Sequence, residues 1–294
     1  MTVFILLNYK TYQETISLTR NLLKQGLGNR RIIIVDNLSH NGAFGILEKE
    51  FNGVLNVDVV SSGENGGYAK GNNYGLRFAK RYNPDYACII NNDIKFSIKD
   101  IETLEQKYNH LGNVGLVAPI QKLPSGEIAD FYKLYEPTFI DDLISYVPYL
   151  DKLKKFRHKY YENTNKSNVQ QVDIIPGAFI FGAYSLLESI GFLDEETFLF
   201  CEERFLSKKI KMINKENFIL LDSYYIHDHS TTINSEASVI KQMRMILDGR
   251  IKYTYRYRKN PHIKSFILKS VCEINVLLMY IRSFLRKFIK TSIV

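Results

Sequence analysis

Residues 86–93 of this 294-residue chain read YACIINND, an apolar run that ends in two amides and a carboxylate. A short run rich in isoleucine, alanine and tyrosine is typical of a buried β-strand. Asn91, Asn92 and Asp93 are therefore predicted at the carboxyl end of a strand, where open α/β sheets bind ligands. One carboxylate beside amide oxygens suits a hard divalent cation that also contacts phosphate. The alternative interpretation is an Asx-rich turn without a ligand.

Strand-like and helix-like segments alternate before this run. Apolar strands are predicted at residues 3–7, 31–35 and 57–61. A helix is predicted over residues 11–25, because Thr11 and Glu14 have the spacing of a capping box and Gly26 follows as a C-cap. The alternation predicts a doubly wound α/β sheet.

The later part of the core sequence is less regular. Residues 121–170 predict an irregular insertion that lines or covers a cleft. Capping boxes are predicted at Ser97 with Asp100 and at Ser185 with Glu188. A further helix after residues 202–203 is expected to direct three side chains inward, namely Leu206, Ile210 and Ile213.

Composition limits the class of protein. The chain has a formal net charge of +8 and 45% hydrophobic residues, as a folded globular protein does. The charge favours anionic partners, which include nucleotide diphosphates, lipid phosphates and nucleic acid. The three cysteines are far apart, so neither structural zinc nor a disulfide framework is expected, and a reducing cytosol is the default. We expect neither a signal peptide nor a membrane span.

Two other predicted strands also end in polar residues. Asn8 and Tyr9 follow the first strand, and Asp36 follows the second. Since parallel strand ends share one edge, Asp36 and Asp93 are expected to face a common crevice. Asp36 can accept a hydrogen bond from a base or ribose, and Tyr9 offers a flat face to a base. A structural turn is the alternative at each position.

Residues 65–75 read NGGYAKGNNYG, a loop that fits neither the P-loop pattern nor GxGxxG. Its glycines would allow close backbone approach to a ligand, and Lys70 can meet phosphate. Glu202 and Glu203 at a helix start either complement the helix dipole or, beside Phe198, Phe200 and Phe205, provide a general base. His227 or His229 can complete a metal shell or be an ordinary surface histidine.

Beyond about residue 235 the chain is predicted to be helical. An apolar heptad seam is predicted at Ile267, Val271, Ile274, Leu278, Ile281, Leu285 and Phe288. Five cations flank it, namely Lys269, Arg282, Arg286, Lys287 and Lys290. Either this helix packs on its own domain or a second subunit, or its apolar stripe lies in lipid with the cations at anionic headgroups.

Taken in order, these motifs resemble the family 2 glycosyltransferases of the GT-A fold, and most closely a rhamnosyltransferase-like bacterial branch that builds surface polysaccharides. The matching segments are LNY (7–9), IVDNLS (34–39), ENGGYAKGNN (64–73), INND (90–93), PGAF (176–179), GFLDE (191–195) and FCEE (200–203). No single segment is specific to the family, but the occurrence of all of them in this order is specific.

The resemblance implies a GT-A domain over residues 1–235, with a mixed α/β sheet and helices on both faces. The predicted helical extension over residues 236–294 lies outside the resemblance. It implies Mg²⁺ or Mn²⁺ and inversion at the anomeric carbon. The transferred sugar would be rhamnose or a hexose, carried by a dTDP- or UDP-sugar to a lipid-linked or saccharide acceptor. The expected location is the cytoplasm, including the inner face of the membrane.

The resemblance also assigns roles to residues. Asp93 is expected to bind metal, although Asn91 replaces the usual first acid, and Glu203 is the expected base with Glu202 as second choice. His227 or His229 would lie near the diphosphate. Phe205 occupies the place where the family often has another acid. The expected donor-binding residues are Asn8, Tyr9, Asp36, Asn65, Lys70, Asn73, Asn91, Asn92 and Asp93. The expected acceptor or sugar loop contains Gly177 and Ala178.

Two rival functions remain open from the sequence. A sugar nucleotidyltransferase of the same fold would normally have a Gly-, Arg- and Lys-rich triphosphate loop near its N-terminus, and we find none. A basic module that binds nucleic acid or membrane without catalysis would show strong salt dependence. No nucleic-acid partner is expected, because the chain lacks an RNA-binding signature.

Overall fold

The computed structural model describes residues 1–129, 134–147, 150, 168–227 and 239–291, with side chains described as far as residue 282. The chain forms two compact units. The sheet unit comprises Met1–Tyr135 and Tyr161–Thr232, and the helical unit comprises Glu136–Tyr160 and Ile233–Val294. The sequence did not indicate that residues 136–160 belong with the C-terminal helices. The domain boundaries of 1–235 and 236–294 stay a prediction.

The strands of the sheet unit are β1 (Thr2–Asn8), β2 (Arg30–Asp36), β3 (Val57–Ser61), β4 (Tyr86–Ile90), β5 (Ile94–Lys95), β6 (Val114–Lys122), β7 (Val169–Val172), β8 (Phe179–Ala183) and β9 (Glu216–His227). Its helices are α1 (Tyr12–Gln25), α2 (Ala43–Phe51), α3 (Gly67–Ala79), α4 (Ile98–Tyr108), α6 (Tyr184–Ser189) and α7 (Glu202–Met212). The short helix α5 (Phe139–Ile144) belongs to the helical unit.

One mixed sheet runs in the order β3-β2-β1-β4-β8-β6-β9-β5, with β7 also paired to β9. The first four strands of this order are parallel to one another. The apolar runs of β1, β2 and β4 are buried on both faces, whereas β3 at the edge of the sheet is only partly buried. The α/β fold with a mixed sheet is confirmed. The fully doubly wound sheet is not, because β8 and β4 are antiparallel. Strand β8 begins beside the end of β4, where the Asn91 N–H donates to the Ala178 carbonyl, so β8 must run back along it.

Helix α3 packs unusually close to the sheet. A Cβ atom at Gly75 would lie 2.7 Å from Ile5 Cγ2 and 2.8 Å from Val35 Cγ2. At Gly67, whose φ is +85°, a Cβ would overlap the Phe198 backbone. The glycines of this segment therefore allow helix and loop packing, whereas the sequence suggested close approach to a ligand.

The helix starts agree only in part with the predicted capping boxes. Ser97 and Asp100 form theirs at α4. Thr11 precedes α1 without a capping hydrogen bond, and its hydroxyl instead accepts from Asn92 Nδ2 at 2.8 Å. The capping box at Ser185 does not form, because the helix α6 already begins at Tyr184 and its N-cap is Ala183.

Helix α7 buries Leu206 and Ile210 as expected, but Ile213 follows its last turn and is 42% exposed. Of the insertion expected over residues 121–170, residues 130–133, 148–149 and 151–167 lie outside the described part of the chain. The remainder contributes the end of β6, a tight return and α5.

The helical unit consists of α5 with α8 (Val239–Tyr257) and α9 (Pro261–Thr291). Its core contains Tyr146, Leu247, Leu268 and Cys272. Asp142, 1% exposed at its side chain, pairs with Arg258 Nη2 at 2.8 Å and Arg250 Nε at 3.2 Å. A buried carboxylate with two arginine partners fixes this unit internally.

The predicted seam of α9 packs only at its first residues. Ile267 and Val271 are half-buried, and Val271 contacts the core of the helical unit, whereas Ile274 is 58% and Ile281 is 45% exposed. The buried face is formed by Leu268, Cys272 and Val276, so packing of the seam on its own domain is wrong for Ile274 and Ile281. The side chains of Leu285 and Phe288 lie outside the described part. Within the described residues, no helix has the length and hydropathy needed to cross a membrane.

Candidate active site

Asp93 lies beside His227 at the end of the sheet. Asp93 immediately precedes β5, whose antiparallel pairing with β9 sets Ile94 opposite His227. As a result, His227 Nε2 lies 3.2 Å from Asp93 Oδ1 and 3.3 Å from Oδ2, across 134 residues of sequence. The structure thus joins two of the residues that the sequence predicted as metal ligands. His229 lies outside the described residues.

The chemistry of this pair fits a divalent cation. Asp93 Oδ1 is buried and makes no hydrogen bond to any described residue, so it has an unused acceptor site. A carboxylate and an imidazole suit Mn²⁺ or Mg²⁺ when phosphate oxygens complete the shell. No group of three or more His, Cys, Asp or Glu side chains in the described part is arranged to hold a metal. The pair therefore fits a cation that substrate phosphates help to bind.

A cavity of about 410 Å³ opens beside Asp93. It lies between α1 and the segment of residues 92–96, and it is lined mainly by polar side chains such as Glu14, Ser17 and Asn21. Neither Glu202 nor Glu203 belongs to its lining. Space for a ligand is thus present on one side of Asp93.

Glu202 and Glu203 begin α7 after a strained turn. Phe200 and Cys201 both have positive φ, at 76° and 71°, which is unfavourable for residues with a side chain. Such strain persists where the surrounding structure enforces it, and it is frequent at functional sites. The turn points Glu203 toward the PGAF loop, so that a Cβ at Gly177 would be 3.8 Å from Glu203 Oε2.

Tyr68 links the carboxylates to the PGAF loop. Its hydroxyl donates to the Gly177 carbonyl at 2.6 Å. Burial raises the pKa of Tyr68 well above its usual value, and the negative charges of Glu202, Glu203 and Asp93 raise it further. Three acids from two distant parts of the chain therefore act on one hydroxyl. The structure brings the predicted metal ligand, the predicted bases and the predicted acceptor loop into one region.

Glu202 is the more deeply buried of the two adjacent acids, at 4% exposure. Burial is the main cause that raises its pKa from 4.5 to about 8, followed by the charge of Glu203, while a hydrogen bond from Thr197 lowers it. Its Oε1 makes no hydrogen bond to a described residue. The Phe198 side chain, expected to shield these acids, is 49% exposed. At neutral pH Glu202 therefore keeps its proton, which a general base must lack.

Asp36 and Asn8 form a buried network at the ends of β1 and β2. Asn8 Nδ2 donates to Asp36 Oδ1 at 2.7 Å, and the Ser39 N–H donates to Asp36 Oδ2 at 3.1 Å. Asp36 is 3% exposed. Each oxygen retains a second lone pair for a ligand. Tyr9 is half-buried beside them, and the Lys10 ammonium lies 5.1 Å from the centre of its ring.

The predicted donor residues of the glycine-rich loop mainly hold the loop itself. Asn65 Oδ1 accepts from Asn37 Nδ2 at 3.0 Å and from the Gly67 N–H at 3.3 Å. Lys70 Nζ pairs with Glu64 Oε1 at 2.6 Å near the surface. Asn65 and Lys70 therefore have partners within the protein itself, and their presence in the loop does not require a bound phosphate.

Two further predicted donor residues are engaged elsewhere. Asn73, 1% exposed, donates to the Leu193 carbonyl and to Glu195, and it accepts from the Leu193 N–H. It therefore fastens the GFLDE segment to α3. Asn92 Nδ2 lies 2.8 Å from the hydroxyls of Thr11 and Thr15, so it joins the end of β4 to α1. Asn91 contributes its N–H to the Ala178 carbonyl.

Sequence reasoning missed three residues that shape this site. Tyr68 contacts the PGAF loop at Gly177, and Thr197 hydrogen-bonds to Glu202. Tyr225 donates a hydrogen bond to Gln121, and the charge of Asp93 adds to the burial that raises the pKa of Tyr225. Tyr68 stands inside a quoted motif, so its place after two glycines was an available signal. Thr197 and Tyr225 carried no comparable pattern.

Comparison with known proteins relates this fold to glycosyltransferases. The chain is 25% identical over 203 residues to the low-salt glycan biosynthesis hexosyltransferase Agl10 of Haloferax volcanii, a match that covers 68% of this chain and 58% of that protein. The chain thus spans less than two thirds of this relative's length.

Solved structures share the fold at low sequence identity. S. aureus TarS (residues 1–349) in complex with UDP-GlcNAc superposes with a TM-score of 0.54 at 18% identity, covering 92% of this chain and 71% of that one. The mannosyltransferase PcManGT of Pyrobaculum calidifontis, in complex with GDP-Man and Mn²⁺, gives 0.59 at 14% identity, covering 96% and 74%.

The sequence profile described as Glycosyl transferase family 2 matches residues 4–189, which is more than half of the chain and includes the strand ends at Asn8, Asp36 and Asp93. The architecture agrees with this match, since the mixed sheet is that of the GT-A fold. The chain therefore belongs to glycosyl transferase family 2.

Proposed function

We propose that this protein is an inverting, metal-dependent glycosyltransferase that uses a nucleotide-sugar donor. The observations that carry the proposal are that Glu203 faces Gly177, whose carbonyl accepts from the Tyr68 hydroxyl, and that Asp93, Glu202 and Glu203 all lie near enough to raise the pKa of Tyr68. A cation-binding carboxylate and a general base in one region of the protein are the two parts that such a transfer needs.

The donor diphosphate would lie at the Asp93 end of the site. Asp93 and His227 would hold Mg²⁺ or Mn²⁺, which when bound supplies positive charge to the departing diphosphate. The nucleobase of the donor would lie near Tyr9 and Asp36. The Asp36 carboxylate accepts a hydrogen bond from Asn8 and can still accept one from the nucleobase. Because Asn91 replaces the first acid that the family usually has before Asp93, we expect weak affinity for the cation in the absence of nucleotide.

Glu203 would remove the proton from the acceptor hydroxyl. The acceptor oxygen forms a bond to the anomeric carbon as the bond from that carbon to the diphosphate oxygen breaks. The electron pair leaves with the nucleoside diphosphate, the proton stays on Glu203, and a single displacement inverts the anomeric carbon. Glu202, protonated at neutral pH, would donate a hydrogen bond within the site and not act as the base.

We propose the finer identity of the substrates from the resemblance, and the relatives support the use of a nucleotide sugar. The donor would be a dTDP- or UDP-sugar carrying rhamnose or a hexose; the names of the similar proteins speak of UDP-GlcNAc, GDP-Man and glycan biosynthesis. The acceptor would be a saccharide or a lipid-linked saccharide in surface polysaccharide synthesis. A lipid-linked acceptor would bring the protein to the inner face of the cell membrane.

Metal-assisted donor binding can be tested by thermal unfolding with UDP, dTDP and their sugars. A ligand at about 100 times its Kd stabilises the native state by about 2.7 kcal/mol, so the wild-type protein should melt at a higher temperature with nucleotide and Mn²⁺ together than with either alone. Asp93→Asn should lose the Mn²⁺-dependent part of this rise. Asp248→Asn, at an exposed position in α8, is the matched control. An unchanged Mn²⁺ response in Asp93→Asn would refute the role of Asp93.

A further inference from the structure

Helix α9 has two apolar faces, and only one of them is covered by described residues. Leu268, Cys272 and Val276 are buried in the helical unit. By contrast, the exposed apolar side chains of the same helix are Ile263, Phe266, Ile274, Leu277, Leu278, Tyr280 and Ile281. A helix that is apolar on both sides normally has a partner on each.

Helix geometry puts these two sets on opposite sides. At about 100° per residue, Ile263, Ile274 and Ile281 fall within about 20° of one direction, whereas Cys272 points about 180° away. The exposed face extends from Ile263 to Ile281, about 27 Å along the helix. Besides the isoleucines, the most exposed members are Phe266 at 72%, and Leu277 and Tyr280 at 58% each. We call this set of seven residues the α9 outer face.

The charges of α9 are mostly positive. At about 100° per residue, Lys264 and Arg282 lie along one edge of the α9 outer face, and Lys269 lies beyond its other edge. From residue 261 to the end of the sequence Glu273 is the only acid, and it pairs with Arg244 at 3.0 Å. An apolar strip bordered by cations is complementary to a lipid surface with anionic headgroups.

We propose that the α9 outer face binds an anionic lipid bilayer surface, with the helix lying in the plane of the interface. A second copy of the chain suits this face less well, because a two-fold pairing of the same patch would bring the two cationic borders together. The proposal deepens the proposed function, and rests on it only for the lipid-linked acceptor.

Vesicle sedimentation of the full chain tests this proposal without donor or metal. The wild-type protein should pellet with vesicles of phosphatidylcholine and phosphatidylglycerol, less with phosphatidylcholine alone, and less at high salt. A double variant, Ile274→Glu with Leu277→Glu, should lower the partition coefficient at least about tenfold. Leu55→Glu, at an 85% exposed position of the sheet unit, adds one such negative charge away from α9 and should leave partition unchanged.

The outcomes separate lipid from protein partners. Loss of pelleting in the double variant but not in Leu55→Glu, with a monomeric wild type in light scattering, supports the proposal. Absence of wild-type pelleting overturns it, as does a dimer that the double variant dissociates while vesicles bind neither form. Nucleotide-induced thermal stabilisation of the same variants reports on the donor site separately, so a failure of the proposed function is recognised independently.

Discussion

Asp93 and Glu202 each have a buried carboxylate oxygen without a hydrogen bond from a described residue. A buried carboxylate in that state is costly unless a partner or a proton reduces its charge. This cost is reduced in a different way for each of the two carboxylates. The other oxygen of Asp93 lies within hydrogen-bond distance of the His227 imidazole, at 3.3 Å, while burial and the neighbouring Glu203 raise the pKa of Glu202 to about 8. The two acids are thus prepared for different tasks.

The raised pKa of Glu202 predicts a pH-dependent stability. Between its unfolded pKa near 4.5 and its native pKa of about 8, the native state holds a proton that the unfolded state has lost. Stability is fully present below the lower value and is lost as pH rises through the upper one, at up to about 1.4 kcal/mol per pH unit. Glu202→Gln, which is neutral throughout, should remove this slope.

Urea unfolding at pH 5.5 and 7.5 measures the slope. The wild type should lose about 2.5 kcal/mol more than Glu202→Gln between these two values. Glu48→Gln, at an exposed position of α2, should behave as the wild type does. If Glu202→Gln keeps the wild-type loss, Glu202 is ionised in the native protein and the assignment of its proton is incorrect.

At the scale of single elements, the close packing of α3 gives a second prediction. Gly75→Ala would push a methyl group against Ile5 and Val35 at 2.7–2.8 Å, so it should destabilise the protein by about 1–3 kcal/mol. Gly45 in α2 has no atom within 4 Å of an added Cβ, and Gly45→Ala should stabilise by about 0.5–1 kcal/mol. Equal effects of the two changes in urea unfolding would contradict the packing of α3.

Elements were predictable where local chemistry alone sets them. The apolar runs of β1 to β4 and the capping box of Ser97 formed as the sequence indicates. The box at Thr11 did not, because its hydroxyl meets Asn92 across 81 residues, a contact that no local pattern reports. The same reason explains Asn73, whose bonds to Leu193 depend on tertiary structure.

At the scale of the whole molecule, the ordered motifs predicted the GT-A fold and the strand ends that meet at the site. They did not predict the reversal at β8 or the membership of Glu136–Tyr160 in the helical unit, since both depend on contacts between distant segments. For α9, the heptad spacing found an apolar stripe but not which side would be covered. Burial of Leu268 and Cys272 decides that.

Replacement of Glu203 tests the central claim, that an acceptor-activating base and a donor-binding carboxylate share one site. Nucleoside diphosphate release should be measured with UDP-hexoses and dTDP-rhamnose, Mn²⁺ and a membrane-lipid extract as acceptor, alongside the affinity for UDP. Glu203→Gln should reduce turnover at least about 100-fold with UDP affinity within about twofold, whereas Glu48→Gln should keep both. Wild-type turnover in Glu203→Gln would contradict the account.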